Sequence, residues 1–469
     1  MSKSSKILSA VLYRPNDLRL ESKCLPDMKC DEVLLKMECV AIGNSDVGYF
    51  KDGKGKTGVY EIDKPMVLGY QGVGKVMQMG KEVTNLNVGD RVVVEPGVPC
   101  RKCDFCKTGK YNLCPFIKFC GTPNADGLMR QHHCHASDFC YQIPDCISSE
   151  EGALTEVLAS AIYACKRGSI TSGSVVCIFG ACQLALACLM VCRNYGVKKI
   201  LMVDENTSRL ERAKCIGADA ILDISKPICD EILIQKILCA LKEEPDVCLE
   251  LTGSAQGIKV GLRIPKSGGT FVIVGLGNEQ TDVQINIIAL KELKIMGAYK
   301  YTNNCFREAI DMMLSGRAPL KKLITHNYEL EDVVQAFKTL KANCGNPLAV
   351  IVKCNQDDDE CEKEQKSNPV CTCDKNSQIG EPRVNRPVGS TSRPQTSRDM
   401  TPTRSAYPSR NVQEDCEVNK LRASTFPKGD CNTTSNASSR APSIPPSNSS
   451  SATGCFCESQ LTLQANRFQ

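Results

Sequence analysis

The stretch SVVCIFGACQLALACLMVCRNYGVKKILMVDE, residues 174–205, decides the fold of the second half of the chain. It opens with a β-branched run that ends at Gly180. The pattern LALACLMVCRNYG then predicts a helix that closes on Gly196, and KKILMVDE predicts a second strand. Strand, helix and strand in this order are typical of a parallel sheet with helices on both faces.

The same alternation continues downstream. SRLERAKCIGA predicts a helix, AILDIS and PDVCLELTG predict strands, and the sheet ends near KIMGAY. Residues 303–353 then predict a helix, a turn, a helix and a final strand. Upstream, EVLLKMECVAIG, QGVGKVMQMG and GDRVVVEPG are short strand patterns bounded by Gly, Pro or Asp, and they predict an all-β region up to about residue 145. The fold class expected is therefore α/β, with a β-rich part and a parallel-sheet part.

Composition excludes several classes of function. At 469 residues the chain has room for two or three domains, and its net charge of +5 is too small for nucleic-acid binding. No run of roughly 20 apolar residues is present, so no membrane association is expected. The N-terminus has no signal-peptide pattern, and many of the 30 cysteines lie among aliphatic residues. We therefore expect a cytoplasmic protein with free thiols.

Residues 355–469 differ sharply from the rest of the chain. NQDDDECEKEQKSNPV is highly charged, and Ser, Thr, Pro, Asn and Arg dominate the stretch that follows. Such a composition buries too little apolar surface to offset the entropy of ordering, so a long disordered tail is predicted. The tail is either a solvated linker or a segment that docks protein partners, and the sequence leaves both open.

A cysteine cluster predicts a structural metal site. In VPCRKCDFCKTGKYNLC the spacing is C-x2-C-x2-C-x7-C, in a loop that is otherwise polar. Four thiolates this close can surround one tetrahedral zinc ion and leave no open coordination position. One structural zinc per chain is therefore expected, held by Cys100, Cys103, Cys106 and Cys114.

This cluster, together with GDRVVVEPG, CGTPNADG and SEEGALTEVLASAIYACKRG, resembles the zinc-containing medium-chain dehydrogenases, and in particular sorbitol (L-iditol 2-) dehydrogenase. The resemblance runs from about residue 6 to about residue 354. It implies a GroES-like catalytic domain over 1–165 and 300–354 and a Rossmann domain over 166–299. It also implies NAD(H), a polyol or ketose substrate, and an oligomer.

The chain departs from the family at the catalytic zinc. Where the resemblance implies Cys, His and Glu ligands, AIGNSDVGYF carries Gly43 and LGYQG carries Tyr70 and Gln71. Gly, a neutral amide and a phenol of ordinary pKa about 10 are poor zinc donors. Glu156 matches the family's fourth position. Gly48 stands where the family has a His that resembles a proton relay, so catalysis is expected to be impaired or lost.

Other positions match the substrate pocket of the family. They are Ser45, Tyr49, Phe119, Thr122, and Lys300 with Tyr301. Inherited packing and substrate binding both remain open for them. Three of the four histidines, His132, His133 and His135, lie in one segment, so a distant replacement ligand for the catalytic zinc is not expected.

The dinucleotide motif G-x-G-x-x-G reads Gly180-Ala181-Cys182-Gln183-Leu184-Ala185. Cys182 places a side chain where the backbone should approach a pyrophosphate, which weakens the expectation of NAD(H) binding. Asp204 suits the ribose hydroxyls and favours NAD over NADP. The candidate cofactor-binding residues are Gly180, Leu184, Asp204, Arg209, Val274, Gly275 and Leu276.

Three hypotheses follow from these residues. The first is a catalytically inactive, zinc-stabilised scaffold or regulator, either a homo-oligomer or a partner of an active relative. The second is an active NAD(H)-dependent oxidoreductase, acting on polyols or reducing carbonyls or enones without zinc. The third is a dinucleotide sensor that binds cofactor without turnover.

Overall fold

The computed structural model describes residues 6–25, 27–55, 61–277 and 280–355. The tail predicted to be disordered lies outside these residues, apart from its first position. Within the described ranges, no helix combines the length and the apolar character needed to cross a bilayer.

The β-rich part is built on a mostly antiparallel sheet. Its strand order is β10-β6-β5-β3-β18-β17, where β17 (Ile324–Glu329) and β18 (Ala349–Lys353) come from the end of the described chain and pair in parallel, and β9 also pairs with β3. A smaller sheet has the order β2-β1-β4, and β7 pairs with β8. The strands are β1 (Lys6–Arg14), β2 (Asp17–Cys24), β3 (Glu32–Ala41), β4 (Met66–Val67), β5 (Gln71–Met79), β6 (Arg91–Val94), β7 (Gly97–Val98), β8 (Lys118–Phe119), β9 (His132–Ala136) and β10 (Cys140–Gln142). The helices of this part are α1 (Asn44–Asp52), α2 (Asp104–Lys107), α3 (Ser149–Gly152) and α4 (Thr155–Arg167).

The second part is a six-stranded parallel sheet of order β13-β12-β11-β14-β15-β16, which confirms the expected doubly wound fold. The central strand β11 is VVCIF and every residue in it is buried, as expected for a strand covered by helices on both faces. The elements are β11 (Val175–Phe179), α5 (Gln183–Asn194), β12 (Lys199–Asp204), α6 (Thr207–Ile216), β13 (Ala220–Asp223), α7 (Asp230–Leu241), β14 (Val247–Glu250), α8 (Ala255–Gly261), β15 (Thr270–Ile273), α9 (Asn286–Leu290) and β16 (Lys294–Gly297).

The chain then returns to the first sheet. The last elements are α10 (Cys305–Leu314), β17 (Ile324–Glu329), α11 (Val333–Ala342) and β18 (Ala349–Lys353). Strand β18 pairs antiparallel with β3, with Ile351 opposite Ala41. This pairing brings residues separated by most of the folded chain into one sheet. The domain boundaries given above stay predictions, and helix α4 runs through the first of them.

Three elements correct the sequence interpretation. Helices α1 and α2 lie inside the region predicted to be all-β, and α1 begins at a buried polar contact. The Asp46 carboxylate accepts a hydrogen bond from the Gly43 N–H (3.0 Å), which satisfies a donor at the helix start. Strand β17 replaces the predicted turn before the last helix, because its backbone pairs in parallel with β18, a partner that local sequence does not reveal.

Candidate functional site

The four cysteines of the cluster come together around one point. Their sulfurs all lie within 4.8 Å of one another. Cys103 Sγ is 3.4 Å and Cys100 Sγ is 3.9 Å from Cys106 Sγ. Zinc–thiolate bonds of about 2.3 Å in a tetrahedron separate sulfurs by about 3.8 Å, so the donor set fits a structural zinc ion.

Backbone N–H groups point toward two of the four sulfurs of this loop. The N–H of Cys100 donates to Cys114 Sγ, and the N–H of Cys103 donates to Cys100 Sγ, both at 3.4 Å. Backbone N–H donors, that of Lys102 foremost, lower the pKa of Cys100 to about 6. Gly109 has φ +75°, the left-handed conformation that lets the loop turn back toward Cys114.

The pocket where the family resemblance places a catalytic metal has a different composition. Tyr70 and Gln71 are 6% and 3% exposed. A Cβ built on Gly43 would lie 2.0 Å from the Tyr70 hydroxyl oxygen, so the phenol occupies the space that a side chain at position 43 would need. Burial raises the pKa of Tyr70 well above its ordinary value, and the charges of Glu156 and Asp46 add to the rise. This phenol is therefore neutral at physiological pH.

Glu156 is held by neighbouring polar groups. The Gln71 Nε2 donates to its Oε2 at 2.8 Å, and the Ser160 hydroxyl donates to its Oε1 at 3.3 Å. In the described part of the chain, two groups of three or more Cys, His, Asp or Glu side chains have metal-binding spacing, and neither includes Glu156.

Asp46 is a site residue that sequence reasoning missed. It is fully buried and accepts hydrogen bonds from the N–H groups of Gly43 (3.0 Å) and Gly69 (2.9 Å). It thereby ties together the two loops that carry the altered positions. Burial raises its pKa to about 7, and these two hydrogen bonds oppose the rise. The signal available in the sequence was an acidic residue inside AIGNSDVGYF.

The predicted pocket residues line one cavity of about 360 Å³. Lys300 lies over two of its aromatic rings: Nζ is 3.9 Å from the ring centroid of Phe119 and 4.9 Å from that of Tyr70. Desolvation lowers the pKa of Lys300, while the charges of Glu156 and Asp46 oppose that shift. The sequence-predicted residues brought together here are Ser45, Tyr49, Phe119, Thr122, Lys300 and Tyr301, and the structure adds Tyr111, Asn112, Ile117 and Cys120. Gly48 is buried in α1 and contributes no side chain.

A second cavity of about 610 Å³ lies at the carboxyl ends of the parallel strands, where ligands bind in such sheets. It brings together all the cofactor candidates: Gly180, Leu184, Asp204, Arg209, Val274, Gly275 and Leu276, with Cys182. Lys300 and Leu276 line both cavities, so the two spaces adjoin.

The phosphate-binding turn keeps part of its expected geometry. Gly180 has φ +106°, a conformation that requires glycine. Cys182 has an extended backbone, φ −73°, and its half-buried side chain packs partly against the hydrophobic core. The Asp204 carboxylate accepts the N–H groups of Ala181 (2.6 Å) and Asn206 (2.7 Å), which fixes it at the end of β12. The cleft thus fits a dinucleotide, with the Cys182 side chain only partly directed into it.

Comparison with known proteins gives the family. A model described as alcohol dehydrogenase GroES-like domain matches residues 29–145, and one described as zinc-binding dehydrogenase matches residues 184–315. Sorbitol dehydrogenase of Rattus norvegicus is 40% identical over 351 residues, covering 75% of this chain and 97% of the relative. The enzyme of that name from Homo sapiens is 41% identical over the same length, with the same coverage.

Solved structures of dehydrogenases have the same fold as this chain. The crystal structure of an oxidoreductase/dehydrogenase of unknown specificity from Escherichia coli superposes with a TM-score of 0.70 at 31% identity, over 75% of this chain and 100% of that one. L-idonate 5-dehydrogenase from Escherichia coli shares the fold, with a TM-score of 0.68 at 23% identity over 74% and 98% of the two chains. With its GroES-like and parallel-sheet parts, its four-cysteine loop and these relatives, the chain belongs to the zinc-type medium-chain dehydrogenases, in the group of the sorbitol dehydrogenases.

Proposed function

We propose that this chain is a sorbitol dehydrogenase homologue that has lost zinc-assisted polyol oxidation, keeps a structural zinc, and serves a scaffold or regulatory role. The observation that carries the proposal is the repacking of the catalytic pocket. The Tyr70 hydroxyl occupies the space of the side chain missing at Gly43, and Gln71 donates a hydrogen bond to Glu156.

The chemistry explains why this repacking matters. When an alcohol gives up a hydride, negative charge on its oxygen must be stabilised, and a Lewis-acidic metal contributes several kcal/mol of that stabilisation. At the positions of the family's metal ligands the pocket offers a neutral phenol and a neutral amide, and desolvation lowers the pKa of Lys300, the cation that also lines it. Gly48 also provides no group to carry the alcohol proton away, a step that typically adds 10²–10⁴-fold in rate. Polyol oxidation should therefore fall by many orders of magnitude.

The dinucleotide cleft supports a regulatory form of this proposal. Gly180 lies where a pyrophosphate would bind, and Asp204 lies where a ribose would bind. The Cys182 side chain is half-buried in the cleft wall. Weak NAD(H) binding without turnover would make the chain a dinucleotide sensor. Homo-oligomer formation, assembly with an active relative and recruitment of partners by residues 355–469 stay predictions, as does a cytoplasmic location.

A second candidate function is reduction of a carbonyl or enone without zinc. Lys300 favours it, because its ammonium lines both the cavity and the adjoining cleft. A hydride from NAD(P)H would add to the carbonyl or β-carbon. The ammonium would stabilise the resulting oxyanion, which solvent would then protonate.

The test uses purified full-length protein. Metal analysis, NADH titration and sorbitol oxidation are measured together, with human sorbitol dehydrogenase as the active reference. We expect zinc at the four-cysteine cluster and no sorbitol turnover above background. Ordinary turnover that disappears in Glu156→Gln would overturn the proposal.

The second candidate is tested with the same protein. A panel of carbonyls and enones is screened with NADH and NADPH, and Lys300→Met is compared with Lys300→Arg. Turnover lost in the first variant and kept in the second would establish the reductase in place of the inactive homologue. Absence of turnover across the panel removes this candidate.

A further inference from the structure

A second cluster of metal-ligating side chains lies outside the four-cysteine loop and borders the Tyr70 pocket through Cys120. It consists of Cys120, His133 and His135, whose ligand atoms all lie within 4.8 Å of one another. The three side chains are 4%, 7% and 4% exposed. Cys120 Sγ is 3.9 Å from His133 Nε2 and 3.9 Å from His135 Nδ1.

Strand geometry brings the two imidazoles together. His133 and His135 are separated by one residue on β9, so they point to the same face of the sheet. In the register with β3 they lie opposite Leu35 and Val33. Cys120 follows β8, and its N–H donates to the Pro96 carbonyl at 3.0 Å, which holds the thiol against that face.

Hydrogen bonding orients the ligand atoms. His135 Nε2 lies 2.9 Å from the Glu95 carbonyl oxygen, which can only accept, so Nε2 carries the proton and the Nδ1 lone pair faces Cys120. An imidazole that donates one N–H to a carbonyl and presents its other nitrogen is the usual arrangement of a metal ligand. His133 Nδ1 is buried and has no hydrogen-bond partner among the described groups. The other nitrogen of this ring, Nε2, contacts the Cys120 sulfur.

From this geometry we propose that Cys120, His133 and His135 bind one soft, thiophilic metal ion, Cu⁺, in a three-coordinate site. With bonds of about 2.3 Å to sulfur and about 2.0 Å to nitrogen, a trigonal ion separates these donors by about 3.7 Å, and a tetrahedral ion by about 3.5 Å. The observed separations of 3.9 Å exceed both values by a few tenths of an ångström, so small side-chain shifts would bring the donors to bonding distance. A thiolate with two imidazoles is a donor set that copper accepts.

Charge favours a monovalent ion. Arg130 is 2% exposed, and its positive charge acts on both Cys120 and His133. Arg130 is paired with Asp126 at 2.9 Å, so the charge of the bound ion itself decides. Cu⁺ with one thiolate is neutral, whereas Zn²⁺ with one thiolate keeps a net positive charge, which is costly in a low-dielectric interior. In the described ranges no further Cys, His, Asp or Glu atom joins the group, so these side chains supply three ligands.

An entry path exists. Cys120 lines the cavity of about 360 Å³ described above, so the cluster adjoins that space. The three ligands do not include Gly43, Tyr70 or Gln71, the residues on which the proposed function rests. The site therefore stands independently of the proposed function.

The test is X-ray absorption at the copper edge on the zinc-loaded full chain, given one equivalent of Cu⁺ without oxygen and in the presence of a chromogenic Cu⁺ chelator. Imidazole scattering identifies this site, because the four-cysteine cluster supplies sulfur alone. We expect one sulfur and two imidazole nitrogens. A sulfur-only spectrum, or zinc at this site in place of copper, would overturn the proposal.

Variants assign the signal. Cys120→Ser and His133→Phe should each lower the chelator-resistant copper by one equivalent per chain and remove the imidazole scattering. The control is Cys140→Ser, which changes a buried cysteine outside the group and should keep both. Copper and imidazole signals that survive both site variants would contradict the assignment. The wild-type spectrum decides the matter even where a variant fails to fold.

Discussion

The four-cysteine loop and the Tyr70 pocket lie in the same part of the fold and differ in how each satisfies its polar groups. In the loop, four sulfurs lie close together and backbone N–H groups donate to two of them, so the arrangement needs a cation to balance it. In the pocket, a hydroxyl fills the space at Gly43 and an amide donates to Glu156, so no cation is needed. The side chains at positions 70 and 71 thus fill the pocket and pair with Glu156, although the Gln71 Oε1 is buried without a hydrogen-bond partner among the described residues.

The largest expected effect concerns the loop. Removing zinc with a chelator, or making Cys103→Ser with Cys106→Ser, should release one zinc per chain and lower the melting temperature by ten degrees or more, on the order of the several kcal/mol that structural zinc contributes. Zinc analysis and calorimetry measure this. Cys146→Ser, at an exposed position outside the cluster, is the control. An unchanged melting temperature after zinc release would contradict the claim that the four-cysteine loop needs a cation.

The next effect concerns the pocket. Gly43→Cys alone should destabilise the protein by about 1–3 kcal/mol, because its Cβ would overlap the Tyr70 hydroxyl. Adding Tyr70→His and Gln71→Glu should relieve the overlap and create a further zinc equivalent beside Glu156. Denaturant unfolding and metal analysis measure both steps. A single variant as stable as the parent would contradict the packing argument.

Gln71→Leu should cost about 1–3 kcal/mol, because it removes the amide that donates to a buried carboxylate. Gln142→Leu is the matched control, since Gln142 donates to Asp90 at an exposed position and its loss should cost much less. Denaturant unfolding measures both variants. Equal losses in the free energy of unfolding would show that the buried Gln71–Glu156 contact stabilises the protein no more than an exposed one.

Glu95, which lies beside the four-cysteine loop, should give a pH dependence. Tyr111 and Tyr141 donate to its carboxylate, and burial raises its pKa to about 7 against their lowering effect. A raised folded-state pKa means that the folded protein holds the proton more tightly. The free energy of unfolding should therefore fall between pH 4.5 and 7, by at most about 3 kcal/mol from this group.

Glu95→Gln should flatten that fall, because the amide does not titrate. Denaturant unfolding across this pH range measures the slope, with Glu82→Gln at an exposed position as the control. An unchanged slope in Glu95→Gln would assign the pH dependence to other groups.

The smallest effect concerns the dinucleotide cleft. Cys182→Gly should tighten NADH binding by less than about tenfold, or 1.4 kcal/mol, because the side chain is half-buried and packs partly against the core. Fluorescence titration measures the change. A gain of a hundredfold or more would mean that the thiol fills the pyrophosphate position, as the sequence motif alone suggested.

Much of the fold follows from local pattern. The continuous apolar run of β11 and the helix pattern after Gly180 predict the parallel sheet, because each is set by residues a few positions apart. Helix α1 and strand β17 were missed, since the first depends on a buried Asp46 contact and the second on pairing with β18. The periodic pattern of neighbouring residues indicates neither of these contacts.

The sequence by itself determined the four-cysteine spacing and the absence of zinc ligands at positions 43, 70 and 71, because ligand identity is readable one residue at a time. Only the tertiary structure decided that Tyr70 fills the space at Gly43, and that Gln71 meets Glu156, 85 residues away along the chain. The same holds for Cys120, which β8 and β9 bring to two histidines. Contacts between distant segments arise when sheets form, and sheet pairing is decided by packing over the whole chain.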